Sequence, residues 1–358
     1  MNQAHLLWSF LNVLTKVRYD ALMEVYGSLE DAAKHVGEEL LRGLGCREET
    51  VRDTLMKMEE WNPSFYARRL DKSGTRFLTI ADAEYPSRLR EIGDPPVFLY
   101  ARGDLSILDQ PCIALVGTRG MSQYGRRVTG DLVPDFVSAG MVTVSGLAEG
   151  IDAEVAVQTL KAGGRTVAVL GHGLATIYPR DNAELAEEII EAGGLLLSEF
   201  PFDFPPDKYT FPSRNRIVAG LTLGTVVLEA PEGSGAIITA DLANDYGRDV
   251  FAVPGSIYDA NYAGCAELIR KGHARLITSA SQALQELGII APEHPVSSYE
   301  PQTEEEGKIM AVLTTMPQSM DDLAGRSALD AGTLNAALTM MELQGAVKNV
   351  GGGQWVRA

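Results

Sequence analysis

A chain of 358 residues with 45% hydrophobic content holds enough apolar material for two or three packed domains, which excludes general disorder. Its net charge of −17 divides as −3 over residues 1–104, −9 over 105–291 and −5 over 292–358, so no domain is basic. Any nucleic-acid site must then be a local cluster of cations on an acidic body that repels phosphate elsewhere. The three cysteines, Cys46, Cys112 and Cys265, lie far apart. They predict neither a disulfide framework nor a zinc site, and they fit a reducing cytoplasm. No run of about 18 apolar residues occurs, so no membrane span is expected.

Residues 1–75 read as helical. Leu6, Phe10, Leu14 and Val17 share one helical face, and no basic region precedes them, which predicts an amphipathic helix and not a signal peptide. Ser28-Leu29-Glu30-Asp31 reads as a helix start. Gly43-Leu44-Gly45 resembles a helix-hairpin-helix turn of the kind that holds a DNA phosphate on backbone N–H groups. On the motif alone, a plain turn in a small helical bundle is the preferred reading.

From about residue 76 to 290, β-rich runs alternate with helical stretches. The runs are Cys112–Val116, Val142–Ser145, Thr166–Leu170, Gly194–Ser198, Thr225–Glu229 and Val250–Val253. The helices expected between them are Tyr124–Ala139, Ile151–Ala162, Glu184–Ala192 and Ala236–Tyr246. Fully apolar strands alternating with helices predict an α/β fold, a Rossmann-like, doubly wound parallel sheet. Its ligands are expected at the carboxyl ends of the strands. Residues 291–303 contain three prolines and read as a linker. Residues 304–358 then give three helical segments, Glu304–Thr314, Ser319–Ala324 and one reaching Leu343. A hairpin of Ala346–Val350 and Gln354–Arg357 follows, which together make a winged helix. The third helix has no Lys or Arg, so a protein-contact or vestigial role suits this domain better than DNA reading.

The chemistry gathers at the strand ends. Gly117-Thr118-Arg119, continuing through Ser122 to Gly125, places small residues and a guanidinium before a helix, a pattern suited to an anion. It is neither Gly-x-Gly-x-x-Gly nor a Walker loop, so a dinucleotide or triphosphate is poorly supported. Ser145-Gly146 ends the next strand, and Tyr178-Pro179-Arg180 follows the third. Lys208-Tyr209-Thr210-Phe211-Pro212-Ser213-Arg214-Asn215-Arg216 packs three cations, an Asn and two aromatic rings into nine residues. Cations beside rings are what a single strand requires: charge for its backbone and faces for its unstacked bases.

These segments, in this order, resemble the DNA-processing protein A (DprA, or Smf) family. The match runs through Gly117-Thr118-Arg119, Ser145-Gly146-Leu147-Ala148, Ser198-Glu199, Phe211-Pro212-x-Arg214-Asn215-Arg216, Ser234-Gly235 and Gly247–Gly255, over about residues 76–285. The flanking helical and winged-helix domains match the family's layout. The resemblance implies binding of incoming single-stranded DNA in natural transformation, its protection, loading of RecA recombinase and work as a homodimer. It assigns phosphate contacts to Arg119, Arg180 and Lys208, with Gly117, Thr118, Ser122, Ser145, Gly146 and Asn215 around them. Arg214 and Arg216 either touch DNA or brace loops. One departure stands out: Ala175 occupies the place of the Asp that usually follows Gly-x-Gly-Leu.

Two rival readings remain. Pro231-Glu232-Gly233-Ser234-Gly235 resembles faintly the loop of lysine-decarboxylase-like phosphoribohydrolases, but Ala236–Ala240 follows where their catalytic Glu belongs. Glu199 and Glu229 end strands and are better read as caps for neighbouring backbone N–H groups. His172 alone among the histidines sits at a strand end, and no metal or triad motif accompanies it, so no enzyme, metal or cofactor is expected. The acidic charge keeps a scaffold without DNA affinity as the third reading.

Overall fold

The structure is a computed structural model that describes residues 2–290, 299, 301–314 and 316–357. Polar side chains placed just before apolar stretches start the first helices. Asn2 caps α1 (Gln3–Leu11), Thr15 caps α2 (Lys16–Tyr26) and Ser28 caps α3 (Leu29–Ala33), each accepting a first-turn N–H. Next come α4 (Glu38–Gly43), α5 (Glu48–Glu60) and α6 (Pro63–Lys72), the last capped by Asn62. The turn between α4 and α5 does not offer the amides that a phosphate needs. The Gly45 and Cys46 N–H groups already donate to Arg42 O at 2.9 Å and Leu41 O at 3.0 Å, and Glu48 and Glu49 occupy the first turn of α5. Two carboxylates there repel an anion, so the turn closes a bundle.

Strand β1 (Arg76–Thr79), the one-turn α7 (Ser87–Arg90) and β2 (Phe98–Gly103) lead into the alternating region. It runs β3 (Cys112–Gly117), α8 (Gln123–Ser138), β4 (Val142–Ser145), α9 (Ile151–Lys161), β5 (Thr166–Val169), α10 (Ala183–Glu191), β6 (Leu195–Ser198) and α11 (Thr210–Gly220). It continues β7 (Gly224–Glu229), α12 (Gly235–Asp245), β8 (Asp249–Ala252), α13 (Ala263–Arg270), β9 (Arg275–Leu276) and α14 (Ala280–Glu286). The sheet has nine strands in the order β1-β2-β6-β5-β4-β3-β7-β8-β9. Strands β6 through β9 in that order are mutually parallel, whereas β2 runs antiparallel to β6 and β1 to β2.

The six apolar runs of the sequence are β3 to β8. Their lack of polar alternation has a direct cause: both faces are covered. In β3, Cys112, Ala114 and Val116 pack toward a layer containing residues of α11, α12 and α13, while Ile113 and Leu115 pack among residues of α8, α9 and α14. Trp8, Leu11, Leu41 and Val51 of the N-terminal helices belong to the first of these cores. The chain clusters as two compact units, Met1–Ala291 and Pro292–Ala358, so the helical segment and the sheet form one body.

The strand order reverses between β3 and β7: β4, β5 and β6 follow on one side, β8 and β9 on the other. Loops leaving β3 and β7 therefore diverge, and a crevice opens at the carboxyl edge between them.

The second unit is a winged helix with a core of its own. Thr303 and Glu306 form a reciprocal capping box at the start of α15 (Glu304–Val312). Strand β10 (Gln318–Ser319), α16 (Met320–Ser327), α17 (Ala331–Leu343), β11 (Val347–Gly351) and β12 (Gln354–Arg357) complete it, with sheet order β10-β12-β11. Ile309, Leu323, Leu334, Leu338 and Trp355 fill the core. Most of the linker expected at 291–303 lies outside the described residues. Among the described residues, no helix is long and apolar enough to cross a membrane.

Candidate nucleic-acid interface

The crevice beside β3 and β7 has a volume of about 700 Å³. Gly117, Thr118 and Arg119 come to it from the end of β3, and Gly146 from the end of β4. Lys208 and Phe211 come from the start of α11, and Ser234 and Gly235 from the start of α12. Glycine is needed at its floor. A Cβ on Gly146 would stand 2.2–2.5 Å from the Arg214 guanidinium, and one on Gly117 would meet Ile151 at 2.6 Å.

Arg119, Arg180 and Lys208 are exposed and form no ion pair among the described residues. In the stretch 105–290 only Lys161 shares that condition, and it closes the last turn of α9, where a cation is favourable. The other basic residues there meet carboxylates or backbone: Arg126 pairs with Glu154, Arg165 with Asp104, Arg248 with Glu91 and Arg275 with Asp249. Rings stand beside the unpaired cations. The Arg119 guanidinium lies 5.3 Å from the Phe211 centroid, and Lys208 Nζ lies 4.9 Å from that of Tyr209. Phe211 and Tyr178 are 5.8 Å apart, and Tyr209 is 74% exposed.

Arg180 does not line the crevice. It adjoins Asp181 and Asn182, which line a neighbouring groove of about 580 Å³ that shares Arg119 with it. Ser122, Ser145 and Arg216 also lie outside the crevice lining. Ser145 is buried, and its hydroxyl donates to Leu115 O at 2.8 Å, tying β4 to β3.

Three of the expected contact residues are used inside the protein. Arg214 is 4% exposed, and its guanidinium donates to Gly146 O at 2.6 Å and to Val169 O. Those bonds brace the ends of β4 and β5, so of the two roles open to Arg214 its donors serve the bracing one. Burial pulls the Arg214 guanidinium down to about 10 and pushes the nearby Asp152 carboxyl up, with Arg214 opposing the latter. Arg216 joins Glu199 and the Asp94 carbonyl, the latter at 2.8 Å. Asn215 accepts from Arg214 Nε at 3.2 Å and donates to Gly235 O at 3.1 Å, tying α11 to the start of α12.

The N-terminus of α8, expected as an anion site, already holds an anion. Glu229 is fully buried, and its carboxylate accepts the Ser122 N–H at 3.0 and 3.2 Å. The Ser122 hydroxyl accepts the Gly125 N–H at 2.9 Å, and the Thr118 N–H donates to Glu229 O at 2.8 Å. The loop bearing Arg119 is therefore pinned at both ends, and the arginine side chain itself is exposed. His172 is fully buried, with Nδ1 2.9 Å from Gly173 O, and burial lowers its pKa below the ordinary value. Ala175 costs its loop little: its N–H donates to Phe202 O at 2.9 Å, so backbone pairing holds that edge. The contribution of Pro231–Gly235 to the crevice was not foreseen, although the Ser234-Gly235 helix start was visible in the sequence.

A doubly wound, mostly parallel sheet with unpaired cations and rings at its carboxyl edge makes this a Rossmann-like protein. The chain belongs to the DNA recombination-mediator protein A family, whose family model matches residues 76–288; that of the DprA winged helix domain matches residues 293–353. Protein Smf of Synechocystis sp. is 34% identical over 98% of both chains. DNA processing protein DprA of Bacillus subtilis is 42% identical over 64% of this chain and 76% of its own. The crystal structure of DNA processing protein A from Streptococcus pneumoniae superposes with a TM-score of 0.66 at 34% identity, covering 80% of this chain and 98% of that one. The Helicobacter pylori protein, which has a unique single-stranded DNA binding mode, gives 0.53 at 32% identity over 59% of this chain and 95% of its own.

Proposed function

We propose that the chain is a cytoplasmic single-stranded DNA-binding protein of natural transformation. It takes incoming DNA at the carboxyl edge of its sheet, protects it and helps load RecA recombinase, working as a homodimer without catalysing a reaction. One observation carries the binding site: Arg119, Arg180 and Lys208 lack carboxylate partners on an acidic body, and Phe211, Tyr178 and Tyr209 stand near them. Unpaired cations attract the backbone, and rings take bases only when these are unstacked. The transfer of this ligand to the present chain is supported by membership of the family and by the Helicobacter pylori relative's single-stranded DNA binding mode.

The recombinase role rests on the family's description as a recombination mediator. The homodimer is supported by β9, an edge strand whose Leu276 is 50% exposed and which a second copy would cover. The non-catalytic reading is supported by the engagement of the strand-end acids, Glu229 with Ser122 and Glu199 with Arg216. Fluorescence anisotropy with labelled oligo-dT and with a matched duplex, at the same salt, tests the reading. Much tighter binding of the single strand is expected, and equal affinity contradicts it.

A further inference from the structure

The connection from β6 to α11, residues 199–209, contains neither helix nor strand and carries Lys208 near its end. A segment of that length keeps one geometry only if outside contacts offset its conformational entropy. Glu199 is tied to Arg216 at the start of the connection, and α6 supplies the contacts that follow. The Phe202 N–H donates to Tyr66 Oη at 2.9 Å, and the same oxygen lies 2.9 Å from Tyr100 Oη of β2. Tyr100 Oη lies in turn 2.7 Å from Ser9 Oγ of α1, and all three side chains are buried. Arg69 follows Tyr66 at the spacing that shares a helix face. It grips both carboxylate oxygens of Asp203 and lies over the Phe202 ring, 5.4 Å from its centroid.

The loop held in this way holds a second one. The Gly173 N–H donates to Phe204 O and the Ala175 N–H to Phe202 O, both at 2.9 Å. The approach is so close that a Cβ on Gly173 would stand 2.2 Å from Phe202 O. The chain beyond Ala175 leads to Tyr178 and Arg180.

We propose that Tyr66 and Arg69 are positioning residues for nucleic acid. Helix α6 clamps the root of the Lys208 arm and, through backbone pairing, the root of the Tyr178–Arg180 segment. The N-terminal bundle thus raises DNA affinity without touching DNA. This rests on the single-strand reading above.

The test uses the full chain with Tyr66→Phe, Arg69→Ala, Lys208→Ala and the double variant Arg69→Ala/Lys208→Ala. Tyr66→Phe keeps the ring, and Arg69 lies at the surface, so folded protein is expected and is checked by thermal melting. Tyr66→Phe and Arg69→Ala should each weaken oligo-dT binding. They should also flatten the dependence of log K on log salt, with about 0.7 as the full value of one lost phosphate contact. The double variant should lose less affinity than the two single losses added together, because the share of the Arg69 effect that acts through Lys208 is already gone. A second readout needs no DNA: trypsin should cut after Lys208 faster in Arg69→Ala than in the parent. Wild-type affinity and cleavage in folded Arg69→Ala overturns the clamp, as do losses that add fully in the Lys208→Ala background. If the parent itself fails to bind oligo-dT, the single-strand reading falls first, and the cleavage assay still judges the clamp.

Discussion

Gly146 shows how closely single residues constrain the crevice. Gly146→Ala would drive a methyl into the buried Arg214 guanidinium, so loss of stability on the order of 1–3 kcal/mol is expected. Urea unfolding measures it, and an unchanged midpoint would mean that Arg214 moves aside easily. His172 adds a pH dependence whose sign follows from its burial. Its pKa is lowered in the folded state from the ordinary 6.5, so the unfolded chain binds more proton as pH falls. The stability that neutral His172 provides is present above about 6.5 and declines below it, until the lowered folded-state value is passed. The stability difference between the parent and His172→Gln should therefore shrink from pH 7.5 to pH 5.5. A constant difference across that range contradicts this account.

At the scale of elements, the winged helix gives the clearest expectation. Helix α17 carries no cation, and its unit packs on its own core, so deleting residues 292–358 should leave oligo-dT affinity nearly unchanged. A tenfold loss, about 1.4 kcal/mol, would show that this unit takes part in binding. The same scale shows what the sequence reveals and what it hides. Strands β3 to β8 were legible because burial on both faces leaves uninterrupted apolar runs. Strands β1 and β2 were not, since Arg76, Arg102 and Gly103 blur their pattern. Helix α11 was hidden by Pro212 and by arginines that a surface segment would equally carry. The roles of those arginines depend on partners distant in sequence: Arg214 on Gly146 and Val169, Arg216 on Asp94 and Glu199. Arg119, Arg180 and Lys208 were placed by family resemblance. Their lack of ion pairs is visible only in three dimensions.

Residues 105–290 carry a net charge of about −9 and only a few unpaired cations, three of them near the carboxyl edge of the sheet. That arrangement makes salt dependence the most direct probe of where DNA lies, because few other cations in this stretch are available to replace a lost one. If Arg119, Arg180 and Lys208 each neutralise one phosphate, log K for oligo-dT should fall against log salt with a slope of about −2. Arg119→Ala and Lys208→Ala should each flatten that slope by about 0.7, with the arginine costing more affinity because its planar fork can form two bonds to one phosphate. The decisive measurement is this slope for the parent and for the two variants, with circular dichroism confirming that each is folded. A slope near −2 that flattens in both variants supports the account; folded variants with unchanged slope and affinity place the DNA elsewhere on the protein.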